Sequence, residues 1–188
     1  MRLVAALLVV ASLLAWPTVE GGRAAHAAQA PLPLPHRAWI PQAHPHGCGA
    51  ALLATMLAAF GLPGDQHALL SEEPPGPDGI HLAAFARMAE RHGLPGRWIR
   101  VPDHRASDAP FVAHLARPVG HLVWVLERVG AWHLVLDPDA GVALWHDDRL
   151  RRRATGLRFV LDRTVPDAAT VDAAVAAGRP AARGEDRP

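Results

Sequence analysis

PQAHPHGCGAALLATMLAAFG, residues 41–61, decides the fold. Its working span, Gln42 to Phe60, sets the only cysteine of the 188-residue chain, Cys48, at the mouth of an apolar segment. Ala51, Leu52, Ala54, Thr55, Met56, Leu57, Ala58, Ala59 and Phe60 are good or acceptable helix formers with almost no polar face. The pattern predicts a helix buried on nearly all sides. Gly61 caps its end and Pro63 forbids continuation. A thiol in the first turn meets unpaired backbone N–H groups and the positive end of the helix dipole, and both favour thiolate. A cysteine taken at random is a small buried hydrophobe. The placement of this one, and the residues downstream, favour a working thiol.

Upstream, Pro31 to Pro45 is proline-rich and extended, with room for a short strand at Arg37 to Ile40. The first thirty residues read as a signal peptide: Arg2 is a minimal positive start and Leu3 to Trp16 an apolar run. Ala25-His26-Ala27 and Ala28-Gln29-Ala30 offer small-x-small cleavage sites, so the mature chain begins near Ala28 or Pro31. An uncleaved anchor is disfavoured by Pro17, Glu20, Gly21 and Gly22, and no cysteine near the site suits a lipoprotein. The reading is therefore an exported protein, periplasmic or secreted. With one cysteine the exported domain makes no internal disulfide, and a free thiol in an oxidising compartment points to use.

Composition excludes little else. A formal charge of +1 and no basic stripe disfavour nucleic acid as a partner. The 12 histidines and the wealth of Ala, Arg and Pro read as genome composition bias. The length suits one domain, residues 31–163, with a disordered Ala-, Pro- and Arg-rich tail over 164–188.

Downstream of the first helix, Asp65 to Leu70 reads as a short helix capped by Asp65, and Glu72 to Asp78 as a rigid loop. Gly79 to His92 has clean helical spacing, stopped by Gly93. Trp98 to Val101 suits a strand, Pro102 to Ala109 a polar loop, and Pro110 to Leu115 a short apolar element. The period then changes from 3.6 to 2. Gly120 to Glu127 and Ala131 to Asp137 read as strands joined through Arg128-Val129-Gly130, and Asp137 to Gly141 as a turn. Val142 to Trp145 and Leu157 to Leu161 are further strands, separated by a charged stretch over His146 to Arg153 that reads as a solvated face. Helices first and an antiparallel sheet second make the fold class α+β. Trp39, Trp98, Trp124, Trp132 and Trp145 suit core or cleft walls.

A hairpin turn centred on Val129 would set His121 opposite Asp137, within reach of a hydrogen bond. The carboxylate would fix the imidazole's tautomer and stabilise its protonated form. Taken singly, His121 is a strand histidine and Asp137 a turn-opening residue; as a pair beside a helix-start cysteine they suggest nucleophilic catalysis. Gln42, six residues before Cys48 in the extended lead-in, could return its side-chain amide to the thiol. With the Cys48 backbone N–H it would form an oxyanion hole.

In that order, Gln42, Cys48-Gly49, Gly120-His121 and Asp137-Pro138 resemble the bacteriocin-processing (double-glycine leader) peptidases, a branch of the papain-like cysteine peptidases. Gly79-Ile80-His81-Leu82, Gly93-Leu94, Pro110 to Leu115 and the strand near Gly156 fit as well, so the resemblance spans Trp39 to Asp162. The chain departs from the family's habit at Gly47 (commonly Asp), at Ala50 (commonly Pro) and at Ala154-Thr155-Gly156, which lacks an aromatic. The resemblance implies a papain-like fold with the nucleophile helix packed on an antiparallel sheet. It implies Cys48 as nucleophile, His121 as general base and acid, Asp137 as orienter and Gln42 as oxyanion donor, with no metal or cofactor. The implied substrate is a peptide or protein, cut after Gly-Gly in this family. With no transmembrane span after the signal and no nucleotide-binding loop, the chain is similar to standalone exported members, some of which accompany secretion of functional amyloid. A secretion-system component is then an implied partner.

Two rival readings stand beside this one. His44, His46 and Cys48, with His121 or Asp137 nearby, could ligate zinc or copper in an exported metal-binding protein, although Pro45 and Gly47 fix no ligand geometry. A peptidase-like fold that only binds peptides is the other, and the presence of Cys48 ranks it lower.

Overall fold

The computed structural model describes residues 39–101, 110–116 and 120–164, together with the single helical positions Ala173 and Ala177. The expected signal peptide, the Pro102 to Ala109 stretch read as a loop and nearly all of the 164–188 stretch read as a tail lie outside the described residues. The chain divides into two units, Met1–Pro33 and Leu34–Pro188, and every described residue belongs to the second.

The apolar stretch forms α1, Cys48–Ala59, and all of it but Ala58 is buried. A helix with no polar face is stable only when other elements surround it. Here α2 (Gln66–Glu72), α3 (Leu82–Arg91) and the sheet do so. Gly61 takes a left-handed φ of 65° just past the helix, where a side chain would be strained. Asp65 caps α2 as its type predicts, its Oδ1 accepting from the His67 and Ala68 N–H groups. α3 starts a turn later than expected because Gly79 (φ 86°) closes a tight bridge with Gly76 instead of entering the helix.

Six antiparallel strands form one sheet in the order β1-β6-β2-β3-β4-β5. They are β1 (Gly96–Arg100), β2 (Phe111–Leu115), β3 (His121–Val129), β4 (Trp132–Asp137), β5 (Gly141–His146) and β6 (Ala154–Leu161). The α+β class holds, and the Pro110 to Leu115 element is a strand. Trp39 and Ile40, expected at the end of a short strand, belong to none.

Both faces of the sheet are covered. Leu122, Trp124, Leu136 and Phe159 pack with α1, α2 and α3 on one side, while Val123, Val125, Val135 and Trp145 pack around Leu150 on the other. Leu150 belongs to α4, Asp147–Arg153, which occupies the charged stretch read as a solvated face. The sequence supports that helix by charge order. Asp147 and Asp148 sit in its first turn, Arg151, Arg152 and Arg153 in its last, and His146 Nδ1 accepts from the Asp148 N–H at 3.2 Å. Trp132 is no core residue: it is 40% exposed on the hairpin rim, edge-on to His146.

The β3–β4 hairpin differs from the expected register. Val129 pairs with Trp132, leaving Gly130 (φ 61°) and Ala131 as a two-residue connection. Such short loops favour positive φ at the first position, which glycine supplies. A bulge at Leu126 then slips the ladder by one, so that Trp124 faces Leu136. Asp137 therefore does not lie opposite His121. The continued register sets it across from Val123, with His121 two residues further along on the same side.

Candidate active site

That diagonal placement still joins the pair. Neighbours offset by two remain within reach of long side chains, and His121 Nε2 donates to Asp137 Oδ1 at 2.6 Å. Both groups are buried, His121 at 6% exposure and Asp137 at 1%. Asp137 also accepts the Asp139 N–H at 3.0 Å on the same oxygen. It therefore opens the β4–β5 turn and holds the imidazole by a hydrogen bond at once.

Cys48 is the other group that acts on this imidazole, in the same direction as Asp137. Burial alone would lower the affinity of this imidazole for its second proton. The hydrogen bonds and charges of Asp137 and Cys48 outweigh that cost and push its pKa up to about 9. At neutral pH His121 is an imidazolium between a carboxylate and a sulfur. Cys48 is the first residue of α1 and 7% exposed. No acidic side chain sits in that first turn, and Gly47 offers no side chain to cap it, so nothing there offsets the positive helix end. Gly47 is small for a steric reason: a Cβ would come within 3.1 Å of His44 Cβ and of its carbonyl oxygen.

Gln42 reaches the neighbourhood through its backbone. Its N–H donates to the Pro138 carbonyl at 3.0 Å, one residue past Asp137. Its side-chain Nε2 makes a long bond to Pro45 O at 3.4 Å, and its Oε1 is buried without a hydrogen-bond partner. Three elements brace this lead-in. Thr55 Oγ1 on α1 accepts the Ile40 N–H at 3.0 Å while donating to Ala51 O. Gln66 on α2 brackets Gln42, its Nε2 donating to Pro41 O and its Oε1 accepting the Ala43 N–H, both at 3.0 Å. The Trp39 ring lies against Gly141, where a Cβ would meet it at 3.0 Å. Sequence reading missed Thr55 and Gln66. A threonine in an otherwise apolar helix was the available signal for the first.

Cys48 opens onto a cleft of about 340 Å³ whose walls include Ile80, His81, His114, Gly120 and Leu122. The chain thus unites Cys48, His121 and Asp137, and holds Gln42 against the turn that follows Asp137. A buried thiol paired with a carboxylate-oriented imidazole at a helix start is equipped for nucleophilic acyl chemistry. The metal reading fares differently. His44 Nδ1 already accepts the His46 N–H at 3.1 Å. Among the described residues no three His, Cys, Asp or Glu side chains converge to hold an ion.

Comparison with known proteins agrees with this geometry. Among solved structures, the peptidase domain of Streptococcus ComA, described as a bi-functional ABC transporter involved in a quorum-sensing pathway, superposes with a TM-score of 0.60. It is 21% identical, and the match covers 70% of this chain and 100% of that one. A double glycine motif protease from an AMS/PCAT transporter, solved with its leader peptide, gives a TM-score of 0.59 at 23% identity, covering 67% and 93%. At these identities the likeness is one of fold, the papain-like peptidase architecture. No curated protein matches. The family model described as Peptidase C39 covers residues 36–164, more than half of the sequence, and the chain belongs to that family of double-glycine peptidases.

Proposed function

We propose that the protein is a cysteine endopeptidase whose nucleophile is Cys48. The observation that carries this is the buried His121–Asp137 hydrogen bond, with Cys48 acting on the same imidazole from the wall of a cleft. Cys48 Sγ attacks the substrate carbonyl while the Cys48 backbone N–H and the Gln42 side chain hold the oxyanion. The Gln42 bond to Pro45 is long enough to be exchanged for a substrate contact. His121 gives its proton to the leaving amine, and then draws a proton from the water that hydrolyses the thioester. Asp137 keeps the imidazole in register throughout.

The substrate is a peptide or protein segment cut after Gly-Gly. Family membership supports this, as does the neighbour solved with a leader peptide. The N-terminal apolar run supports export, to the periplasm or beyond, where a secretion-system component would present the substrate. No helix among the described residues is long and apolar enough to cross a membrane. The test is hydrolysis of peptides containing Gly-Gly by purified protein, with Cys48→Ala as control, and N-terminal sequencing of the chain recovered from cell fractions. Cleavage after Gly-Gly by wild type alone is expected. Equal rates for the wild type and the Cys48→Ala variant would overturn the assignment, and an intact Met1 would overturn the export reading.

A further inference from the structure

β2 ends beside the cleft, and there it presents His114, half-buried and lining the same walls as Cys48 and Gly120. The ring is held from β6, with Nδ1 2.9 Å from Thr155 Oγ1. The tautomer follows from where the single Thr155 hydroxyl proton is placed. A threonine hydroxyl has one proton to donate, and we assign that of Thr155 to the His114 carbonyl at 3.2 Å. The Leu157 N–H points at the same oxygen at 3.4 Å. The remaining bond is therefore made with Nδ1–H as donor, which leaves Nε2 as a bare lone pair. No described residue bonds to that nitrogen. It stands so close over Gly120 that a Cβ there would come within 2.7 Å of it. Burial, then the charge of His121, hold the His114 pKa below the ordinary imidazole range, so the ring is neutral where His121 is charged.

A fixed, uncharged acceptor in a cleft is suited to a neutral donor, and an extended peptide offers one at every residue. We propose that His114 is a substrate-binding residue whose Nε2 accepts a hydrogen bond from a backbone N–H of the bound peptide, aligning the scissile carbonyl with Cys48 Sγ. This rests on the peptidase reading and adds a contact to it. Thr155 is then a positioning residue, acting through the ring it holds.

The probes are tetrapeptides ending in Gly-Gly on aminomethylcoumarin, with varied first and second residues, and their analogues methylated at one backbone nitrogen at a time. His114→Asn keeps a donor for Thr155 and removes the cleft acceptor, whereas His114→Gln places an amide oxygen near the Nε2 position. With wild type, one methylated analogue should lose about five- to tenfold in kcat/KM, the scale of one hydrogen bond. The Asn variant should lose as much on the parent peptide, through KM, and be indifferent to that methyl group. The Gln variant should recover most of the loss. Alkylation of Cys48 by iodoacetamide should proceed equally in all three, which a general loosening of the site would not allow. Methylation effects identical in wild type and His114→Asn would overturn the proposal, as would a wild type tolerant of methylation at every amide. A wild type that turns over no probe would sink the peptidase reading and this inference with it. That result is distinct from an active enzyme indifferent to His114.

Discussion

Replacing Asp137 by asparagine removes one charge and almost nothing else, since the amide oxygen can still accept the Asp139 N–H that closes the turn. The consequence can be worked from His121. Its pKa is raised from 6.5 to about 9, which corresponds to about 3 kcal/mol in favour of the protonated ring. That is a net figure, left after burial has worked against it. Asp137 and Cys48 are the two groups that raise it, and by hydrogen bond and by charge alike Asp137 outranks Cys48. Asp137 is the leading favourable group, with a share on the order of 2 kcal/mol. Because the folded pKa lies above the unfolded one, this stabilisation is complete below pH about 6.5 and is lost as pH rises through about 9. Asp137→Asn should lower unfolding free energy by about 2 kcal/mol near pH 6, with the gap closing by about pH 10. The alkaline limb of iodoacetamide alkylation, set by loss of the His121 proton, should fall from near pH 9 by more than about one pH unit. Urea unfolding and alkylation rates across pH measure the two. A folded variant whose limb stays near pH 9 would refute the assignment of Asp137 as the group that holds the His121 proton.

Three further outcomes test the scaffold. Thr55→Val leaves the Ile40 N–H without its partner and should cost about 1–3 kcal/mol in urea unfolding, with faster hydrogen exchange at that amide. Gln66→Ala frees both backbone groups that flank Gln42. It should depress kcat on a peptide substrate by about tenfold while Cys48 alkylation is unchanged, because the oxyanion donor is loosened and the thiol pair is not. Gly96→Ala places a Cβ 2.5 Å from the Val160 carbonyl oxygen and 2.7 Å from the Phe159 ring. It should lower stability by about 1–3 kcal/mol, read as a drop in thermal midpoint, with the β1–β6 pairing most exposed to exchange.

The sequence was most legible where one physical effect dominates. A stretch as uniformly apolar as Leu52 to Leu57 has to be central, and a cysteine at its start meets the helix N-terminus whatever lies around it. β3 and β4 were equally plain as strands, but their pairing was not. Register depends on where a two-residue turn falls and on a bulge at Leu126, and neither leaves a mark in the alternation of Leu122 to Leu126. His121 and Asp137 still meet because parity survives a shift of two residues. α4 was hidden by its own charges: seven residues with a single apolar anchor, Leu150, give no periodicity to detect. Thr155 stood out only as a break in the family pattern, and its role needs the three-dimensional neighbour His114 to be seen.

The last strand of the chain does not lie at the edge of the sheet. β6 is inserted between β1 and β2, pairing with both. A sheet ordered this way stays in two pieces until its final strand arrives, and such non-local pairing makes folding slow. On a ribosome, α1 emerges early while β6 is still to come, and until then the sheet behind Cys48 is unfinished. Assembly of the site is thereby tied to completion of the sheet: a product truncated before β6 keeps Cys48 but lacks the strand that joins the halves.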